Sequence, residues 1–118
     1  MKRYPSPAAL KQRSLWAQQF PECWCCGADR DLQTHEIASR AQAPGHWADL
    51  RNYFRACSAC NCGLLNVLPE ATQLALKALF DHENYDREFV NQLRHRAANA
   101  ISDGDVRMWL TLLRRRAA

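Results

Sequence analysis

Two Cys-x-x-Cys pairs constrain this chain more than any other feature of its sequence. Cys23 and Cys26 form the first pair, and Cys57 and Cys60 form the second, with thirty residues between the pairs. Two residues between thiolates let a tight turn direct both sulfurs at one tetrahedral ion, and Gly27 supplies the backbone freedom that such a turn needs. The four sulfurs therefore predict a closed structural zinc site.

Two of the six cysteines, Cys25 and Cys62, lie outside this set. Either could replace a neighbour as a ligand, but Cys-x-Cys pairs are sterically poorer, so we expect two buried spare thiols. A disulfide framework is the alternative, and it requires secretion, for which the start of the chain offers no apolar signal segment. No stretch approaches the roughly 18 apolar residues of a membrane span. We therefore expect a cytoplasmic protein without a membrane partner.

The segments on either side of the cysteine-rich centre have helical patterns. Ser6 followed by Pro7 is typical of a helix start, and this helix should run to about Gln19 with Leu15, Trp16 and Phe20 as apolar contacts. Three further helices are predicted after Pro69. The first has an apolar set at Leu74, Leu76, Leu79 and Phe80, the second is capped by Asp86, and the third begins with a capping box at residues 102–105.

Between the two cysteine pairs, the sequence predicts two short strands joined by a loop. Residues 32–37 and residues 49–56 have strand character at the two ends of this interval, and Pro44 and Gly45 mark the loop. A helix is expected after Cys60. The predicted order is strand, loop, strand, helix.

These residues resemble the HNH endonucleases, whose ββα-metal finger is often stapled by two such cysteine pairs. The resemblance covers residues 22–66 and rests on the cysteine pairs, Leu32 with His35-Glu36-Ile37, Asp49-Leu50-Arg51-Asn52-Tyr53, and Asn61 after the second pair. A branch with His-Glu-Ile in place of paired histidines, common among phage-encoded proteins, is most similar. The resemblance implies an α+β fold, mostly helical overall. The implied organisation is a single domain over residues 1–118. Its zinc-stapled HNH core spans residues 22–66 and is wrapped by about four helices. Residues 69–118 form a helical C-terminal extension.

The resemblance also implies catalytic roles. His35 takes the position of a ligand of the catalytic ion, Glu36 that of the base that activates water, and Asn52 that of the central asparagine that orients this base and steadies the loop. Asn61 takes the position of a second metal ligand at the start of the helix. The implied ion is Mg²⁺ or Mn²⁺, distinct from the structural zinc. The family's other helix ligand falls on Leu65, which cannot bind a metal.

Strand alternation leaves the identity of the base open. Thr34 and Glu36 should point to one face of the strand and His35 to the other, so one ion cannot be held by both His35 and Glu36 without a twist. A register shifted by one residue would make Thr34 the ligand and His35 the base, although it misplaces Ile37. Both assignments remain open.

The net charge of +4 is concentrated near the C-terminus, where residues 94–118 hold six arginines against two aspartates. The planar fork of arginine suits phosphate. The candidate nucleic-acid contacts are Arg40, Arg51, Arg55, Arg114, Arg115 and Arg116.

Taken with the resemblance, this charge implies a metal-dependent endonuclease that hydrolyses DNA phosphodiester bonds. If the protein is phage-encoded, it would act in the bacterial host cytoplasm, with a possible protein partner in a packaging or DNA-processing complex. The alternatives are a catalytically weak or inactive zinc-stapled DNA-binding or assembly module, and a zinc protein that binds another protein through its helical tail.

Overall fold

The computed structural model describes residues 5–95 and 99–117 of the chain. In these ranges five α-helices surround a two-stranded antiparallel sheet, which confirms the predicted α+β class. The elements are α1 (Pro7–Gln18), β1 (Leu32–Glu36), β2 (Tyr53–Cys57), α2 (Ser58–Cys62), α3 (Glu70–Phe80), α4 (Arg87–Leu93) and α5 (Asp103–Ala117).

The predicted helix starts are confirmed by their caps. The side chains of Ser6, Asp86 and Ser102 accept hydrogen bonds from the backbone N–H three residues further on, at distances of 3.2, 3.0 and 3.1 Å. Each bond satisfies a donor that the first turn of a helix leaves without a partner. The starts of these three helices therefore follow from local sequence.

The apolar faces of the helices were predicted less well. Trp16 of α1 is buried, but its neighbour Leu15 is 51% exposed, so the expected core contact of Leu15 is wrong. Leu79 and Phe80 at the end of α3 are also exposed, whereas Leu74 and Leu76 are buried. Residues 72–78 of α3 are all buried, so exposure in this helix begins at its C-terminal end, which apolar spacing alone does not reveal.

The two strands pair with Leu32 opposite Cys57 and His35 opposite Phe54. The second strand begins at Tyr53, later than predicted, because the carboxylate of Asp49 accepts the backbone N–H of Arg51 and caps a 3-10 turn. The helix α2 begins at Ser58, two residues before Cys60, whereas the sequence predicted that the helix would follow Cys60. The second cysteine pair therefore spans the junction between β2 and α2.

An aromatic cluster joins α1, the first cysteine pair and β2. The ring of Trp16 lies 5.4 Å from that of Tyr53, and the ring of Trp24 lies 4.9 Å from that of Phe54, measured between centroids. Trp16 and Trp24 meet edge to face at 5.7 Å. Such pairs contribute about 0.5–1.5 kcal/mol each beyond their area burial. This cluster fixes α1 and the first cysteine pair against the sheet.

A buried ion pair ties α3 to the start of β2. The Nζ atom of Lys77 donates to the carbonyl oxygens of Leu50 and Tyr53 at 2.9 and 2.7 Å, and to the Asp81 carboxylate at 3.0 Å. The indole N–H of Trp16 donates to the same carboxylate at 2.8 Å. Burial lowers the pKa of Lys77 to about 8, even though Asp81 opposes this shift. In the described ranges, none of the helices has the length and apolar character to cross a bilayer.

Replacing Lys77 with methionine should destabilise the protein by about 3–5 kcal/mol, because the Asp81 carboxylate then stays buried without its cation. Urea unfolding of the zinc-loaded protein measures this loss. The matched control is Lys11→Met, which removes an exposed lysine of α1 and should change stability by less than about 0.5 kcal/mol. Equal losses in the two variants would contradict the role assigned to Lys77.

Candidate functional site

Four thiols converge at the junction between β2 and α2. The sulfurs of Cys23, Cys26, Cys57 and Cys60 all lie within 4.8 Å of one another, and those of Cys26 and Cys57 are 3.7 Å apart. Tetrahedral zinc with Zn–S bonds of about 2.3 Å requires sulfurs roughly 3.8 Å apart. This four-cysteine cluster could therefore hold a metal ion, and its donors fit zinc. All six cysteines are free thiols, which excludes the disulfide framework.

The first cysteine pair lies on the tight turn that its spacing predicts. The N–H of Gly27 donates to the carbonyl of Cys23 at 2.9 Å, and the N–H of Cys23 donates to Ala28 at 2.8 Å. Gly27 has a φ of 77°, a conformation that strains any residue with a side chain. The glycine therefore lets the turn close with both sulfurs on one side.

The backbone around the cluster favours a thiolate at Cys23. Burial by itself would raise the pKa of this thiol, but hydrogen bonds from the backbone N–H groups of Cys57, Cys26 and Cys25 outweigh burial and lower the pKa to about 6. A thiol must lose its proton to bind a metal. The lowered pKa therefore favours Cys23 in the thiolate form that binds a metal.

The two remaining cysteines differ from each other. Burial raises the pKa of Cys25 to about 12, which keeps this half-buried residue a neutral thiol beside the cluster. Cys62 is exposed at the end of α2, so the expectation that it is buried is wrong. The convergent set contains neither residue, which favours the predicted ligands over the alternatives that the sequence left open.

A second, polar cluster lies where β1, α2 and α3 meet. The Nε2 atom of His35 is 3.1 Å from the Oε1 atom of Gln73, and the Nδ2 atom of Asn61 donates to the Oε1 atom of Gln33 at 2.7 Å. The Asn61 amide also lies near enough to the His35 ring to raise its pKa. We call these four residues the His35 cluster. It brings together His35 and Asn61, the two residues to which the resemblance assigns the catalytic ion.

The hydrogen bonds of Gln73 fix the tautomer of His35. The Nε2 atom of Gln73 donates to the carbonyl of Leu68 at 3.1 Å, so its Oε1 atom faces the histidine and accepts from the imidazole N–H. The Nδ1 atom of His35 is then the unprotonated nitrogen. Burial lowers the pKa of His35, although hydrogen bonds with Gln73 and Asn61 and the charge of Glu36 oppose this shift. The ring is neutral at neutral pH and can accept a proton or bind an ion.

Glu36 contacts a different part of the molecule. Its carboxylate accepts from the Nε atom of Arg40 at 2.7 Å and from the Nη2 atom of Arg13, on α1, at 3.4 Å. His35 instead contacts α3, as the alternation along β1 predicts. In the described part of the chain, Glu36 hydrogen-bonds to no member of the His35 cluster. The structure therefore does not bring the two candidate bases to one place.

Asn52 is buried and closes the loop between the strands. Its Oδ1 atom accepts from the N–H of Ala38 at 2.8 Å, and its Nδ2 atom donates to the carbonyls of Ala38 and Trp47 at 3.0 and 2.9 Å. The amide thus ties together the two ends of the loop. Its bonds are to the backbone, so its side chain does not orient His35 or Glu36 directly.

The remaining helix positions after Cys60 do not extend the cluster. Leu65 is buried in the core, and the amide of Asn66 donates to the carbonyl of Cys62 at 2.6 Å. Among the residues that the structure describes, the four-cysteine cluster is the one group of three or more His, Cys, Asp or Glu side chains placed to share an ion.

The candidate nucleic-acid contacts fall into two groups. Arg51 is held by the carboxylates of Asp49 and Asp86, and Arg55 donates its Nε–H to the carbonyl of Phe20. Arg40 is exposed, as are the three arginines of the last turn of α5, Arg114, Arg115 and Arg116. These four arginines are the ones that the fold leaves accessible to a phosphate.

Sequence reasoning did not find Gln33, Gln73 or Arg13. Gln33 lies two residues before His35 and so on the same strand face, a signal that alternation could have supplied. Gln73 and Arg13 come from helices distant in sequence, and no local pattern marks them. Comparison with known proteins supplies no further guide, since no family model, curated protein or solved structure matches this chain.

Replacing Cys57 with serine should abolish metal binding, because it removes one of the four sulfurs that converge on the ion. The parent protein should carry one zinc ion per chain, measured by elemental analysis, and should unfold when a strong chelator removes it. The matched control is Cys62→Ser, which should keep the zinc. Full zinc content in Cys57→Ser would contradict the assignment of the ligands.

Proposed function

We propose that this chain is a metal-dependent endonuclease of the HNH type that hydrolyses DNA phosphodiester bonds. The observation that best supports this proposal is the place of Asn61 of α2, whose amide bonds to Gln33 on the face of β1 that carries His35. His35 and Asn61 are the residues to which the resemblance assigns the catalytic ion. The exposed arginines at Arg40 and in the last turn of α5 supply the charge for phosphate contacts.

In this proposal the four-cysteine cluster holds structural zinc. Four thiolates fill the tetrahedral positions of the ion and leave none for a substrate. Asn61 directly follows the ligand Cys60, and His35 lies on the strand paired with the one that ends at Cys57. Zinc would therefore hold both residues in place without taking part in the chemistry.

The His35 cluster has donors for a second, divalent ion. The Nδ1 atom of His35 is unprotonated, and the Asn61 amide uses its Nδ2 atom on Gln33, which leaves its Oδ1 atom as a ligand. An imidazole nitrogen and an amide oxygen suit Mn²⁺ or Mg²⁺ when water and phosphate oxygens complete the coordination. When bound, such an ion would stabilise the charge that develops on the phosphate and the leaving oxygen.

The free nitrogen of His35 can perform one of two tasks. It can hold the ion together with Asn61, or it can accept the proton of the attacking water as a general base. Both tasks require a neutral imidazole, which burial provides. Loss of an ion ligand raises the Mn²⁺ concentration needed for half-maximal cleavage, whereas loss of a base lowers kcat at saturating Mn²⁺.

One observation favours a second candidate, a zinc-stapled DNA-binding module that does not cleave. The hydrogen-bond partners of the His35 cluster are amides rather than carboxylates, and Leu65 at the other helix-ligand position is buried in the core. A neutral site binds a divalent ion weakly in the absence of a phosphate. Such a module would bind DNA at low salt without cleaving it.

Plasmid nicking in the presence of Mn²⁺ or Mg²⁺ tests the proposal. The parent protein should cleave, and His35→Ala and Asn61→Ala should each lower the rate roughly 100-fold or more, because each removes a group that acts on the reacting phosphate or water. His82→Ala removes an exposed histidine outside the cluster and should cleave like the parent. If the parent binds DNA but neither it nor His82→Ala cleaves, the DNA-binding module is the correct function.

Cleavage should continue to a lower pH than it would with a histidine of ordinary pKa. Burial places the pKa of His35 below its usual 6.5. The neutral ring that either task requires is then lost only as the pH falls through this lowered value. The acid limb of a kcat/KM profile should therefore lie below pH 6.5. An acid limb centred above pH 6.5 would contradict the assignment to His35.

A further inference from the structure

The carboxylate of Glu36 lies between two guanidinium groups. Its Oε1 atom accepts from Arg40 at 2.7 Å, and its Oε2 atom accepts from Arg13 at 3.4 Å. The Glu36 side chain is only 12% exposed, so these contacts are poorly screened by water. One negative charge against two positive charges leaves this end of β1 with a net positive charge. Such a group attracts an anion.

The guanidinium of Arg40 is held in a fixed orientation. Its Nε atom is bound to Glu36, and its central carbon lies 3.9 Å from the centroid of the Trp47 ring. Trp47 is itself buried, and its carbonyl accepts from the Asn52 amide at 2.9 Å. The Glu36 carboxylate and the Trp47 ring therefore restrict the Arg40 side chain, although this side chain is 59% exposed.

This arrangement leaves the terminal nitrogens of Arg40 available to a ligand. The Nε atom makes the bond to Glu36, and among the described residues the Nη1 and Nη2 groups have no hydrogen-bond partner. Two parallel N–H groups match the oxygens of a phosphate diester. Because the fork is already oriented, less conformational entropy is lost when it binds.

We propose that Arg40 is a contact for the DNA backbone phosphate and that Glu36 positions this guanidinium, together with Trp47, instead of acting as the base. The inference rests on the proposed function for the identity of the ligand, a DNA phosphate diester. Glu36 directly follows His35 along β1 but points to the other face of the strand, so the phosphate bound by Arg40 is distinct from the one at the His35 cluster. Arg13 holds the second oxygen of Glu36 and so fixes the carboxylate itself.

Binding of a short labelled DNA duplex, measured by fluorescence anisotropy over a series of salt concentrations without divalent ions, tests the phosphate contact. Arg40→Ala should weaken binding and reduce the slope of log Kd against log salt by about 0.9, the value for one lost phosphate contact. Arg40→Lys keeps the charge but lacks the Nε atom that Glu36 holds. It should keep the slope and still bind more weakly than the parent.

The matched control is Lys11→Met, which removes an exposed cation of α1 and should leave the slope unchanged. A slope in Arg40→Ala equal to that of the parent would overturn the inference. So would parent-like affinity in Arg40→Lys, since charge alone would then suffice.

Cleavage kinetics of Glu36→Gln separate positioning from base catalysis. If Glu36 is a positioning residue, Glu36→Gln should raise KM for DNA and leave kcat within about threefold of the parent. The acid limb should move only to lower pH, because the variant loses a charge that raises the pKa of His35. Loss of a base should instead lower kcat roughly 100-fold or more. The second outcome would overturn the role assigned to Glu36.

The two proposals fail in different ways. If the parent binds DNA without cleaving it, the endonuclease proposal fails, while anisotropy of Glu36→Gln and Arg40→Ala still tests the phosphate contact. In that case Glu36→Gln should weaken DNA binding, because Arg40 loses the charge that orients it, and unchanged binding would overturn the inference. If the parent binds no DNA at low salt, both proposals are overturned.

Discussion

The convergence of four thiols is the constraint on which the rest of the site depends. The helix α2 has five residues, too few to be stable on its own, and in the described part of the chain neither end of it has a side-chain cap. Cys57 and Cys60 hold its first turn to the turn at Cys23 and Cys26. Asn61 comes directly after the last of these ligands. Its place beside His35 therefore depends on an ion or on the packing of the four sulfurs.

The opposite side of the His35 cluster depends on the core. Gln73 belongs to α3, and the buried Lys77 one helical turn further on binds the carbonyls of Leu50 and Tyr53. This attachment holds α3 against the start of β2, so that Gln73 reaches His35 on the paired strand. The tautomer of His35 is thus set by a helix that lies outside the cysteine-rich segment. The helix α3 is therefore part of the His35 cluster and does not merely cover it.

Local signals in the sequence were sufficient for each cysteine pair, for the presence of the two strands and for the starts of α1, α4 and α5, because each is encoded by residues a few positions apart. They were insufficient wherever a distant helix decides the environment of a side chain. Nothing near Glu36 predicts that Arg13 of α1 would bind its carboxylate. The exposure of Leu15 and of Cys62 likewise depends on which face of a helix the rest of the chain covers. The roles implied by the resemblance stay predictions for the same reason, since they concern what the site does with a ligand.

The pleat of β1 separates two neighbouring titratable residues into two environments. His35 faces amides and a protein interior that disfavours its charged form, whereas the Glu36 carboxylate contacts the guanidinium groups of Arg13 and Arg40. A neutral imidazole can take up a proton or an ion. The Glu36 carboxylate instead forms an ion pair at each of its two oxygens. The same alternation that separates these two residues therefore puts the chemistry that we propose on one face of the strand and the anion contact that we propose on the other.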